Sequence, residues 1–122
     1  MTANITYKPG GETLRQFMLD TSFVRGLRGP VGSGKTACSC VELFRRGMQQ
    51  AKAPDGKRYT RWAVIRNSYP ELRTTTIKTW LDWFPESEFG HMTMHPTPYC
   101  HHIKLGEMDM EVWLLEVKCR QV

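Results

Sequence analysis

The run Gly29-Pro30-Val31-Gly32-Ser33-Gly34-Lys35-Thr36 carries the strongest chemical signal in the chain. Glycines at 32 and 34 reach backbone angles that a Cβ forbids, so successive N–H groups turn inward and form a cup for an anion. Lys35 would set an ammonium on the β and γ phosphates of a nucleoside triphosphate. The Thr36 hydroxyl would complete the coordination of a Mg²⁺ that keeps most of its waters. A helix starting there adds the positive end of its dipole. The spacing, GxxxxGK followed by Ser or Thr, is that of the Walker A phosphate loop.

Such a loop must lie between a strand and a helix. Phe23-Val24-Arg25-Gly26-Leu27 is the predicted strand, weakened by Gly26, while Ala37, Val41, Phe44 and Met48 recur at helical spacing after Thr36. Upstream, Thr13 caps a predicted short helix with Leu14, Phe17 and Met18 on one face. That helix carries Gln16, whose planar amide donates and accepts and so suits an adenine edge. A solvated surface glutamine is the plainer alternative.

Downstream, Arg45-Arg46-Gly47 and Pro54-Asp55-Gly56-Lys57 mark a helix end and an exposed loop. Arg61-Trp62-Ala63-Val64-Ile65-Arg66 then predicts a strand buried on both faces, pairing near the phosphate-loop strand. Arg66 stands at its carboxyl end, where open α/β sheets place their ligand crevice. It is a candidate to sense the γ phosphate, to act in a neighbouring subunit, or to touch nucleic-acid phosphates; an exposed loop arginine is the alternative. Ser68-Tyr69-Pro70-Glu71 fits a capping box, the threonines at 74, 75 and 76 predict a break or a second helix start, and Ile77, Trp80, Leu81 and Phe84 form an apolar stripe ended by Pro85. Runs at 99–105 and 110–117 predict a hairpin across Gly106. Cys100, His101 and His102 with His91 and His95 do not predict zinc, because neighbouring strand residues face opposite sides and no CxxC or HxxxH spacing recurs.

At 122 residues the chain suits one core, whereas a full nucleotide-driven ATPase core takes about five parallel strands at ~30 residues per βα unit. The fold expected is therefore α/β, a partial P-loop NTPase of the ASCE type. Its parallel sheet is flanked by helices and extended by a C-terminal β-hairpin. Residues 1–11 are expected to form a flexible arm, and residues 12–122 an incomplete ATPase domain. That domain is expected to be truncated before the Mg²⁺-holding Walker B strand and to lack the nuclease domain. Val112-Trp113-Leu114-Leu115-Glu116 has the outline of that strand, but its acid is Glu rather than Asp, and Val117 occupies the place of a catalytic acid. A net charge of +5 suits a polyanionic partner. No apolar run approaches the ~18 residues a membrane span needs, and no secretion signal opens the chain. The four cysteines, Cys38, Cys40, Cys100 and Cys119, show no paired framework and are read as reduced thiols.

From Leu14 to about Val117 the chain resembles the N-terminal part of the ATPase domain of tailed-bacteriophage terminase large subunits, the DNA-packaging motors. The likeness lies in Leu14-Arg15-Gln16-Phe17, in Arg25-Gly26-Leu27-Arg28 with the phosphate loop, and in Trp62-Ala63-Val64-Ile65-Arg66-Asn67-Ser68-Tyr69-Pro70-Glu71-Leu72-Arg73. The resemblance implies ATP and Mg²⁺ as cofactors, with Gln16 near the adenine, Gly29, Pro30, Val31, Gly32, Ser33, Gly34, Lys35 and Thr36 on the phosphates and metal, and Lys35 and Arg66 in catalysis. It implies double-stranded DNA, a portal and a small terminase subunit as partners. A homo-oligomeric ring and a place in the host cytoplasm, transiently at the procapsid portal, follow as well. The internal arginine of many such loops is missing, as are the acidic Walker B pair, the coupling motif and the acidic triad of a two-metal nuclease; hydrolysis needs one carboxylate to hold Mg²⁺ and another to orient water, so this length of chain is expected to bind nucleotide weakly at best and not to turn it over. The alternative is a non-catalytic P-loop-derived module that binds DNA or a packaging partner.

Overall fold

Apolar and polar side chains alternate through residues 99–116, the pattern of strands with one buried face. Gly106, at φ 55°, supplies the left-handed turn between them. The computed structural model, which describes residues 6–29, 34–95 and 97–117, forms β3 (Tyr99–Leu105) and β4 (Met108–Glu116) there, antiparallel, with Leu105 opposite Met108. The turn is tighter than the sequence predicts. Pairing resumes at Met108 because Met108 and Met110 both bury on the inner face.

β1 (Arg58–Arg66) runs parallel to β4, from Arg58 opposite Met108 to Arg66 opposite Glu116. A short β2 (Met92–Thr93) pairs antiparallel with β3, giving the order β1-β4-β3-β2. The chain is thus α/β with a mixed four-stranded sheet. Among the described residues β1 and β4 are its one parallel pair, so the expected parallel sheet is corrected to a mixed one. Residues 23–27 form no strand: Phe23 and Val24 are 103% and 79% exposed. Arg25 is drawn away instead, donating to Phe17 O at 2.7 Å with its guanidinium over the Phe17 ring, and a central glycine leaves little β preference to resist this. β1 therefore pairs with the hairpin. Nor is β1 buried on both faces. Thr60, Trp62 and Val64 turn inward while Ala63 and Ile65 face solvent, Ile65 at 55%, because the packed helices lie against one side.

Those helices are α1 (Glu12–Leu19), α2 (Lys35–Met48), α3 (Tyr69–Glu71), α4 (Ile77–Trp83) and α5 (Glu86–Phe89). Ser68 caps the third as predicted, its Oγ accepting from Glu71 N at 3.3 Å. Of the break or second start expected at the threonines, the second start forms, at Ile77, without a gap in the helical run. α3 passes through a π-helical turn (Leu72–Thr76) into α4. There Thr74 Oγ1 donates to Pro70 O at 2.9 Å and Thr75 Oγ1 to Glu71 O at 2.6 Å, so the hydroxyls that argue against helix satisfy carbonyls the wide turn releases.

Phe44 of α2 stacks on Phe84 at 4.7 Å and meets Phe89 edge-on at 5.8 Å. Each such side chain contributes about 1.5–3 kcal/mol by leaving water. The buried His101 is fully bonded: Trp80 Nε1 donates to its Nδ1 at 2.8 Å, and its Nε2 donates to Gly90 O at 2.7 Å. Its neighbour His102 points to the other face and pairs with Asp109, the alternation on which the zinc reading was set aside.

Candidate phosphate-binding site

The helix predicted after the phosphate loop begins at Lys35. Gly34 precedes it in the left-handed region, φ 85° and ψ 12°, and no side chain caps the helix. The first intrahelical bond is Cys38 N to Gly34 O at 3.0 Å, and a helix start of this kind turns its first-turn amides in the direction an anion would be bound. Lys35 Nζ reaches back and donates to Gly29 O. Thr36 is exposed in the first turn. Pro30, Val31, Gly32 and Ser33 lie outside the described residues. Beside the helix start is a cleft of about 240 Å³, lined by Gly10, Gly11 and Thr13 together with Arg28, Gly29 and Lys35.

Packing fixes where this end of α2 sits. Met48 lies beside Arg58, and Arg58 Nη1 donates to Gln50 O at 2.5 Å, so α2 runs antiparallel to β1. Gly47 rests on Thr60 and Trp62, where a Cβ would collide with the Met110 methyl. From Gly47 back to Lys35 the helix rises about 18 Å, the length of ~5 strand residues. A helix of that length laid back along β1 extends towards the carboxyl end of the strand. Half-buried Arg66 lies there, its carbonyl accepting from Val117 N at 3.0 Å. Glu116 is its register partner and accepts from Tyr69 N at 2.8 Å. Strand 112–116, weighed above as an outline of the metal-holding strand, is thus the parallel neighbour of β1.

Gln16 stands apart from this group. It is exposed on α1, its amide donating to Glu12 Oε1 at 3.4 Å, and it does not line the cleft. A second polar group, which sequence reasoning took only for a helix end, joins α1 to α2. Glu42, 3% exposed, accepts from Arg25 Nη1 at 3.3 Å, Arg45 Nη1 at 3.1 Å and Arg46 Nε at 2.5 Å. The same arginines donate to Phe17 O, Met18 O and Asp20 O. Arg25 and Arg46 border a cleft of about 340 Å³ whose lining includes Asp20, Ser22, Ser39 and Trp62. The i, i+3 and i, i+4 spacing of Glu42 with Arg45 and Arg46 was readable in advance; the part of Arg25 was not.

Tyr7, in a stretch to which the sequence assigns no chemistry, is half-buried. Its ring meets Trp83 edge-on at 5.3 Å, and burial together with its hydrogen bond to Cys38 pushes its pKa up to about 12. Cys38, Cys40 and Cys100 are free thiols, and burial pushes Cys40 up to about 11; Cys119 lies outside the described residues. No family model, no curated protein and no solved structure matches the chain.

Proposed function

We propose that this chain is the ATP-binding N-terminal portion of a terminase large subunit, the ATPase motor that drives viral DNA into a procapsid. The observation that carries the reading is the start of α2. A left-handed glycine, a lysine and a hydroxyl stand together at a helix start that no side chain caps, and a phosphate site of this kind is expected beyond the carboxyl ends of parallel strands such as β1 and β4. The donor set fits a triphosphate: Lys35 and the first-turn amides would hold phosphate oxygens, Thr36 would ligate Mg²⁺, and Gly34 leaves room and backbone freedom for close approach. Bound Mg²⁺ would neutralise charge building on the phosphates. The chain's own part is to bind and orient them, with Arg66 supplying a further cation at the same edge.

The position of β4 favours one refinement. Glu116 closes the strand parallel to β1, which is where an acid that holds the metal through water would be needed. On this reading residues 112–116 are the metal-holding strand rather than a strand short of it. Double-stranded DNA, a portal, a small terminase subunit and a ring of like subunits are the partners of the full motor.

Equilibrium binding of Mg-ATP tests the proposal. The wild-type chain is expected to bind in the millimolar range, and Lys35→Ala to weaken binding at least about tenfold, ~1.4 kcal/mol. Phosphate release is expected at the Lys35→Ala background rate. Equal binding by both proteins would remove the phosphate loop from the account. DNA binding that falls steeply with salt and ignores ATP would favour the non-catalytic module.

A further inference from the structure

The residues before α1 reach across two other helices through one side chain. The Tyr7 ring packs edge-on against Trp83 at the end of α4, at 5.3 Å and 79°. Its hydroxyl donates to the sulfur of Cys38 in the first turns of α2, and Cys38 Sγ donates in turn to Leu14 O of α1 at 3.9 Å. Leu14 completes the junction. A Cβ on Gly10 would stand 3.8 Å from its Cδ1, and one on Gly34 would stand 3.5 Å from the same atom. The side chain of Leu14 is therefore in contact range of both the N-terminal segment and the glycine that starts the phosphate helix. Gly10 and Gly11, in that same segment, line the cleft with Gly29 and Lys35.

We infer that residues 6–11 form a strap which, seated through Tyr7 between Trp83 and Cys38, closes one wall of the phosphate cleft, and that release of the strap opens it. The inference rests on the phosphate-binding reading of that cleft. Two features make the strap a moving part rather than a fixed one. Thiols are weak donors and acceptors, so among the described residues the segment is held by one ring contact, one weak bond to Cys38 and the Gly11 carbonyl that accepts from Arg15 N at 3.1 Å, against the interlocked aromatic rings that hold α4. Contacts of that kind open locally at far lower cost than a core does. A ligand touching Gly10, Gly11 and Lys35 together would bind the seated form better, and so would shift the population towards it.

Cys38 is a built-in reporter. It is fully buried, with its thiol pKa raised by burial, so it reacts slowly unless Tyr7 lifts away. Cys40, two residues on and buried among the core aromatics, reports opening of the helix as a whole. The experiment is alkylation of the full chain by iodoacetamide, with Cys38 and Cys40 resolved by tandem mass spectrometry. Mg-ATP binding is measured separately on the same samples.

Tyr7→Ala is expected to raise the Cys38 to Cys40 rate ratio on the order of tenfold, and Tyr7→Phe, which keeps the ring and loses the hydroxyl, by less. Mg-ATP is expected to slow Cys38 in the wild type, to have no such effect in Tyr7→Ala, and to dissociate faster from that variant. A simple loss of stability would speed both thiols alike, and if Tyr7→Ala does so by failing to fold, the ratio in Tyr7→Phe decides. An unchanged ratio in both variants would overturn the strap. Mg-ATP that binds but leaves Cys38 untouched would overturn its closure while sparing the phosphate site. A wild-type chain that binds no Mg-ATP would overturn the site and the closure together.

Discussion

The two ends of the molecule are held by different forces. Around α4 and the hairpin, Trp80, Phe84, Ile103, Met110, Val112 and Leu114 are all at 0% exposure and share one core, in which Phe84 stacks on Phe44 and meets Trp80 at a tilt. Around α1 and the start of α2, Phe23 and Val24 stand in water. The chain there is tied by polar bonds instead: Lys35 to Gly29 O, Arg25 to Phe17 O, and Arg46 to Asp20 O at 3.0 Å. Apolar burial is cooperative and hard to undo piecemeal, whereas exposed polar tethers contribute little each and can exchange partners. The difference makes one end a scaffold and leaves the other, where α2 begins, free to rearrange around a ligand.

The largest effect should come from the scaffold. Trp80→Ala empties a fully buried site and takes the N–H donor from His101 Nδ1. It is expected to cost about 3–5 kcal/mol, measured as a lowered urea midpoint. A domain of ordinary stability retains little after such a loss. If the midpoint barely moves, the contrast between the two ends is broken, because the rings then do not carry the fold.

How far the sequence disclosed each end follows the same division. The stripe Ile77, Trp80, Phe84 and the alternation in 99–116 are local patterns, and the helices and strands they predict form, with Gly106 at the turn. The start of α2 at Lys35 was legible because glycine and lysine spacing carries its own backbone chemistry. What failed depended on partners distant in sequence. Residues 23–27 have local strand character, but Arg25 finds Glu42, seventeen positions on, and that contact decides. The open face of β1 was hidden because a run such as Trp62-Ala63-Val64-Ile65 reads alike whether one face or both are covered. Tyr7 gave no signal, since the partners of a lone aromatic in a polar segment exist only in three dimensions.

A middling effect is expected from Glu42→Gln, which keeps the shape of the side chain and removes its charge. The arginines around it are 20–36% exposed, so solvent screens much of what a fully buried pair would lose. A cost of about 1–3 kcal/mol is expected. Its location sharpens the contrast: hydrogen exchange should quicken in α1 and residues 20–25 well before it quickens in α4 or β4. Uniform quickening would mean that the polar end and the apolar end unfold as one unit.

The smallest effect is the dependence on pH, and it belongs to the apolar end. Burial, opposed by the bond to Gly90 O and the charge of Glu86, holds the His101 pKa below its ordinary value, with His91 adding to the depression. The native ring is therefore neutral, and has to be, because Nδ1 accepts from Trp80 while Nε2 donates to Gly90. In the unfolded chain the same imidazole titrates near ~6.5. As pH falls through that value the unfolded state takes up a proton that the native state refuses. Stability is thus complete above about pH 6.5 and declines as pH falls towards the native pKa, by at most ~1.4 kcal/mol per pH unit. Glu86, whose pKa is lowered chiefly by the Met92 N–H, loses its contribution only in the acid range below ordinary carboxylate values, so the two windows are separate. Urea midpoints at pH 7.5 and 5.5 should differ more in the wild type than in His101→Gln, which is less stable at both. Equal slopes would show that a protonated ring can be housed beside Trp80, and that the scaffold end is looser than its buried rings imply.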